Sequence, residues 1–157
     1  MSHTLRGLRF DAPNDFSPDE AILSLRAPMP DLKTPLAMNR ALTVRPNLIV
    51  HRRMVADGTS VEMICGEVCA ELASAIPSME NMATARMKFK DGAVGMLVSF
   101  DFAATEHAKV RQFQALRLDA SLLTTMTLSV DATTLTDELT KHWLDVLASA
   151  SLVEAGL

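Results

Sequence analysis

Hydrophobic residues alternate with polar ones along four stretches between Met82 and Leu128, and they recur at helical spacing in two further stretches, before and after. The first helical stretch opens with Thr59 and Glu62 as a capping box, carries Val61, Cys65, Val68, Leu72 and Ile76 on one side, and is closed by Pro77. The second runs from about Thr134 to Ser149 and buries Leu135, Leu139, Trp143, Val146 and Leu147. Between them, Met82 to Lys90 and Ala93 to Phe102 predict a hairpin about the favoured turn dipeptide Asp91-Gly92. That turn puts Ala85, Met87, Phe89, Val94, Met96, Val98, Phe100 and Phe102 on one face, against Arg86, Lys88, Gly95, Leu97, Ser99 and Asp101 on the other.

A second hairpin, Arg111 to Thr127, carries the most informative pattern. With Asp119-Ala120 as its turn, one face reads Val110, Gln112, Gln114, Leu116, Leu123, Thr125 and Thr127. The other carries Phe113, Ala115, Leu122, Thr124, Met126 and Leu128, the better core surface. A solvated sheet face usually carries Lys and Glu. An uncharged mixture of amides, hydroxyls and aliphatics either receives a partner or is a plain Thr-rich surface.

Upstream, Leu5 to Phe10 and Ala21 to Arg26 read as short strands separated by a turn at Pro13, Asn14, Asp15 and Pro18. Pro28, Pro30 and Pro35 make Ala27 to about Arg40 an irregular, flexible loop, and Leu42 to Arg52 returns to strand. The order is three strands, a helix, four antiparallel strands and a helix. It predicts one α+β domain over residues 1–157, a mainly antiparallel curved sheet with two helices packed on one face.

Chemistry is sparse. At 157 residues the chain can build a core without staples, and its net charge of -4 comes with scattered basic residues, which argues against nucleic acid. Met1 to Phe10 shows no secretory signal or membrane anchor, so a soluble cytoplasmic protein without direct membrane insertion is expected. Cys65 and Cys69 stand four apart on the first helix, where free buried thiols are expected rather than a disulfide. His3, His51, His107 and His142 lack ligand spacing, so no metal is expected. Ten Met residues are mostly core filler, though Met also serves adaptable apolar-binding surfaces. No nucleophile elbow is present, and Gly58, Gly66, Gly92 and Gly95 form no phosphate-cradling loop; no enzyme and no cofactor are expected. Asp19 with Glu20 and Asp137 with Glu138 read as solvated turn and helix-start charges.

From Phe10 to Leu152 the chain resembles the DcrB-like family with its PsbP-type fold, most closely the Eag chaperones of type VI secretion effectors. The likeness is carried by Arg111-Gln112 with the run Leu122 to Thr127, by Leu48 to Arg52, by Ile76-Pro77 at a helix end and by Trp143 in the last helix. The resemblance implies a cytoplasmic homodimer whose curved sheets form a groove for the N-terminal transmembrane helices of an effector. Gln112 matches the groove's amide, and Ile22, Ile49, Ala108 and Val110 match its apolar lining. Ser24 stands where an aliphatic is usual, Val68 where a second amide can occur, and Ser78-Met79 where the family has Gly-Phe. With Gln114, Thr125 and Thr127 from the uncharged face, these residues make up the expected partner-binding groove. A small-molecule or lipid-binding module of the same fold is the alternative; it would have a deep closed pocket in place of an open groove.

Overall fold

The structure is a computed structural model describing Asp11 and residues 45–152 with their side chains, together with the strand backbones at 2–5, 8–10, 17–18 and 24–26. The elements are β1 (Ser2–Leu5), β2 (Leu8–Asp11), β3 (Ser17–Pro18), β4 (Ser24–Arg26), β5 (Asn47–Met54), α1 (Val61–Ala75), β6 (Glu80–Lys88), β7 (Val94–Thr105), β8 (Ala108–Asp119), β9 (Leu122–Asp131), α2 (Asp137–Ala148) and β10 (Ser151–Leu152). Seven strands form an antiparallel sheet in the order β3-β4-β5-β9-β8-β7-β6, and β1-β2-β10 form a second, small one. The α+β expectation holds. The expected strand Leu5 to Phe10 is instead an antiparallel pair, with Leu5 opposite Leu8, and the expected loop at 27–40 lies outside the described residues.

The two helices lie on opposite faces of the large sheet, which corrects the expectation that both pack on one. Trp143, Val146 and Leu147 of α2 join Leu48, Val50, Phe113, Ala115, Met126, Leu128 and Val130 in one core. Ile64 and Cys65 of α1 join Val98, Phe100, Leu116 and Leu123 in another. The reason is the sequence of the central strands, which carry large apolar residues at both parities. Either face left bare would expose several of them to water, so each needs its own cover.

Turn chemistry sets the registers. In the β6–β7 hairpin Phe89 N donates to Ala93 O (2.8 Å) and Gly92 N to Phe89 O (2.9 Å), closing a three-residue loop, Lys90 to Gly92, in which Gly92 takes φ +90°. The expected two-residue turn is therefore wrong by one residue. Ala85 pairs with Leu97 and Met87 with Gly95, so Ala85, Met87 and Phe89 share the α2 face, away from Val98 and Phe100. Gly95 is required here: a Cβ would lie 2.1 Å from the Leu116 carbonyl oxygen. The β8–β9 turn is Ala120-Ser121, with Ala120 at φ 54°, and pairs Leu118 with Leu123. This is two residues from the expected pairing, an even slip, and the expected faces survive it.

Helix α1 starts one residue later than the capping box suggested. Ser60 is its N-cap, accepting from Met63 N (3.2 Å), while Glu62 pairs with Arg86 on β6 (3.5 Å). Thr136 caps α2 by accepting from Leu139 N (3.1 Å). Leu139, expected in the core, is exposed within that first turn.

Two arginines, Arg117 buried and Arg111 half-buried, tie turns and a strand bulge to the sheet. Arg117 directs all its donors inward: Nε and Nη2 to Asp119 (2.8 and 3.1 Å), Nη1 and Nη2 to Asp91 (2.9 and 2.6 Å), and Nη1 to Ala150 O (2.9 Å). Its guanidinium also lies 5.2 Å from the Phe89 ring centroid. Arg111 forms a two-bond pair with Asp101, which also accepts from Asn81 Nδ2 (3.0 Å) at a bulge in β6. Asn81 holds φ 55° there.

Candidate functional site

On the α1 face, the sheet register builds cross-strand rows. Asn47, Ser129 and Gln112 form one; Ser24, Ile49, Thr127 and Gln114 the next; His51, Thr125 and Leu116 the third; Arg53, Leu123 and Leu118 the fourth. Helix α1 lies against β7 and β8 and covers Val98, Phe100, Leu116 and Leu123. Beside it runs a strip over β8, β9 and β5 whose side chains are half-buried or exposed: Gln112, Gln114, Thr125, Thr127 and Ser129, then Ile49 and His51. No carboxylate or amine stands among its first three rows on these strands.

The strip is organised rather than merely polar. Gln114 Nε2 donates to Gln112 Oε1 (3.0 Å), and Gln112 Nε2 donates to Ser129 Oγ (3.0 Å). Each amide nitrogen carries two N–H groups, so among the described residues each retains one donor. Beside this ladder Ile49 is 45 % exposed, although its neighbours Leu48 and Val50 are each 1 % exposed. From β5 to β8 the strip spans two strand spacings, about 10 Å, the width of an α-helix.

The structure gathers Ile49, Gln112, Gln114, Thr125 and Thr127 into this strip and places Ser24 in its row through the β4 backbone. Two expected lining residues lie elsewhere. Val110 is buried, 3 % exposed, because β8 is flanked there by Phe102 of β7, which packs into α1's core, and by the enclosed Asp131 of β9. Ala108 sits at the β7–β8 turn with Ser78, Glu80 and Lys109, beside an open hollow of about 330 Å³, because the strand has by then run past the strip. Ile22 lies outside the described residues. Sequence reading missed Ser129 and His51; the first is signalled by period two from Thr125 and Thr127, the second by period two from Ile49.

Titrating groups do not converge on the strip. Burial pushes the Cys65 thiol up, with its neighbour Cys69 adding to the shift; Cys65 is enclosed by α1's core and Cys69 is half-buried, and both are free. Asp91 and Asp101 are held below the usual carboxylate range by Arg117 and Arg111, away from this face. Among the described residues no three His, Cys, Asp or Glu side chains could hold a metal, and no helix is long and apolar enough to cross a membrane.

No family model matches the chain, and no curated protein sequence matches it. Its fold matches solved structures. The protein PA94 of unknown function from Pseudomonas aeruginosa aligns at TM-score 0.61 and 11% identity over 100% of this chain and 98% of that one. Cyanobacterial PsbP (CyanoP) from Synechocystis aligns at TM-score 0.61 and 13% identity over 98% and 92%. LpqN, involved in cell envelope biogenesis of Mycobacterium tuberculosis, aligns at TM-score 0.54 and 12% identity over 90% and 78%. The chain has a PsbP-like fold; at these identities the likeness concerns the fold alone.

Proposed function

We propose that this protein is a cytoplasmic chaperone or adaptor, not an enzyme, that shields the apolar N-terminal transmembrane helices of a type VI secretion effector on the strip beside α1. The observation that carries this reading is the uncharged ladder of Gln114, Gln112 and Ser129, flanked by Thr125, Thr127 and the exposed Ile49. A spanning helix is apolar all round and aggregates in water. A helix-wide surface without charges can lie against it without desolvating an ion, while the amides bond the polar groups that such helices keep at small-residue contacts. The DcrB-like and Eag resemblance supports the type VI client and a homodimer in which two strips enlarge the cover.

The test is co-purification of this chain with an effector's N-terminal apolar segment expressed alongside it. Thr127→Asp and Gln114→Glu put a charge at the strip's centre, where a bound helix excludes water, and each should cost binding several kcal/mol. Capture should be lost with thermal stability nearly unchanged. Capture that survives both substitutions would remove the strip as the binding face. Val110→Asp is a control of the opposite kind, since it puts a charge into a closed site and should unfold the protein.

A further inference from the structure

We infer that the strip fixes the direction of its guest: an apolar helix binds antiparallel to α1, with its N-terminus at Asp131 and its C-terminus at His51 and Arg53. This rests on the proposed reading of the strip and adds a polarity to it. The open rows on β9 run from Thr125 to Ser129, four steps or about 13 Å, with Leu123 covered by α1 at one end and Asp131 enclosed at the other. That length holds about nine residues of helix, so a membrane span of ~20 residues runs past the strip at both ends, toward Asp131 at one and Arg53 at the other.

The two ends differ in charge. At one end, Asp131 follows Ser129 on the same face by period two, and pairs with Val110. Asp131 is 9 % exposed. Oδ1 accepts from Thr133 N (2.9 Å) and Thr133 Oγ1 (2.7 Å), whereas Oδ2 is enclosed and accepts no hydrogen bond. Water therefore screens it poorly, and it acts on a guest through its field rather than by contact. At the other end His51 and Arg53 are exposed on β5, one strand from the strip's centre.

Helix α1 adds the same polarity. Its start lies by the Arg53 end, where Val55 N donates to Ser121 O (2.8 Å) and Val55 packs into α1's core with Val61. Its end lies by the Asp131 end, where Ser78 Oγ accepts from Ala103 N (3.4 Å) beside Phe102, in Asp131's row. The last turn of α1 carries no basic residue to offset its free carbonyls. Glu62 pairs with Arg86 on β6, so Glu67 and Glu71, on the opposite flank, turn toward the strip. Arg26 lies by register in Ser129's row, at the Asp131 end, but its backbone is on β4, two strand spacings or about 10 Å from β9, farther from a guest on β9 than Asp131 is. A guest placed on β9 would lie about two strands from α1, the 8–10 Å of packed helices. Free N–H groups at its start would then face Asp131 and the end of α1, and its free carbonyls would face Arg53 and the start of α1.

The test uses the full chain and a 20-residue Leu/Ala helix, acetylated and amidated so that only its dipole distinguishes the ends. A photoreactive diazirine is placed at its residue 1 or residue 20, and cross-links are mapped by mass spectrometry. The residue-1 probe should mark 76–79 and 131–134, and the residue-20 probe 51–55 and 121–123, with about tenfold preference over the reverse, summing the contributions of both ends. Asp131→Asn keeps the Oδ1 acceptor, and Arg53→Gln alters an exposed side chain. Each should cut the preference to about threefold while the peptide stays bound. Binding with reversed or equal cross-links, or an unchanged preference in both variants, overturns the polarity and leaves the strip standing. No binding, or cross-links away from this face, overturns the strip and the polarity with it.

Discussion

Leu48 and Ile49 are chain neighbours on one strand, and they belong to different kinds of surface. Leu48 faces α2 with 1 % of its area exposed, inside a core that continues through Leu128, Phe113 and Trp143. Ile49 faces the other way and is 45 % exposed beside Thr127 and Gln114. The α2 face is packed and braced at its margins by three arginine–carboxylate pairs, made by two arginines. The α1 face is packed only where α1 lies. The difference teaches that stability and recognition are divided between the two sides of one sheet, since strand periodicity lets a single strand serve both.

The sharpest break in this comparison is at Arg117. Its guanidinium joins the β6–β7 turn, the β8–β9 turn and the segment after α2, and its own side chain is 3 % exposed. Burial opposes its charge, but the bonds it donates to Asp119 and Asp91 outweigh that and hold its pKa above the usual value. Arg117→Ala strands two carboxylates around an empty site and should cost about 3–5 kcal/mol in chemical denaturation. Trp143→Ala removes the only Trp from the α2 core, where it is 7 % exposed, and should cost about 3–5 kcal/mol, nearer the low end because α2 can settle into the gap. Neither substitution touches the strip. At a temperature where both variants remain folded, capture of an apolar helix should persist.

Acid should act on the same braced side. Asp101 is held low by its hydrogen bond from Arg111, helped by Asn81, and Asp91 by its bond from Arg117. A carboxyl whose folded pKa lies below its unfolded value binds protons more readily when unfolded. Its stabilisation is therefore fully present above about pH 4 and is lost as the pH falls through the lowered folded values. Melting temperatures should be flat from neutral pH down to about 4 and fall below it. Asp101→Asn should flatten part of that fall; an unchanged slope would mean that the Arg111 pair does not carry it.

Much of this division is legible in the sequence, and its limits are physical. Period two across Arg111 to Thr127 identifies the uncharged face even though the turn is displaced, because a slip of two residues preserves which side each residue occupies. The β6–β7 hairpin shows the opposite case. Asp91-Gly92 suits a two-residue turn, but the loop takes three, and the odd slip moves Met87 and Phe89 to the other face. Helix placement was also illegible, because both parities of β7, β8 and β9 carry apolar residues and periodicity alone does not say which helix covers which. Arg117 stands at a core-face position with no local signal; its partners come from two turns whose meeting depends on the completed sheet. Val110 continues the alternation of Gln112 and Gln114, and nothing local marks the point where the open strip gives way to a closed site.

The smallest expected effect sharpens the comparison most. Leu48→Ala opens a cavity in the α2 core and should cost about 2–5 kcal/mol, as large-to-small changes do in closed sites. Ile49→Ala removes a side chain already 45 % exposed, next to hydroxyls and amides that close around nothing, so little apolar area is lost to water. It should cost under about 1 kcal/mol in the free protein. With an apolar helix bound, the same side chain is covered, and its removal should weaken capture by roughly 1–2 kcal/mol, a loss of about tenfold in affinity. The two variants are thus expected to separate: one lowers the denaturation midpoint and leaves affinity alone, and the other does the reverse. A loss of folding stability at Ile49 equal to that at Leu48 would show that the strip is core under another cover, and that the two faces differ less than their side chains suggest.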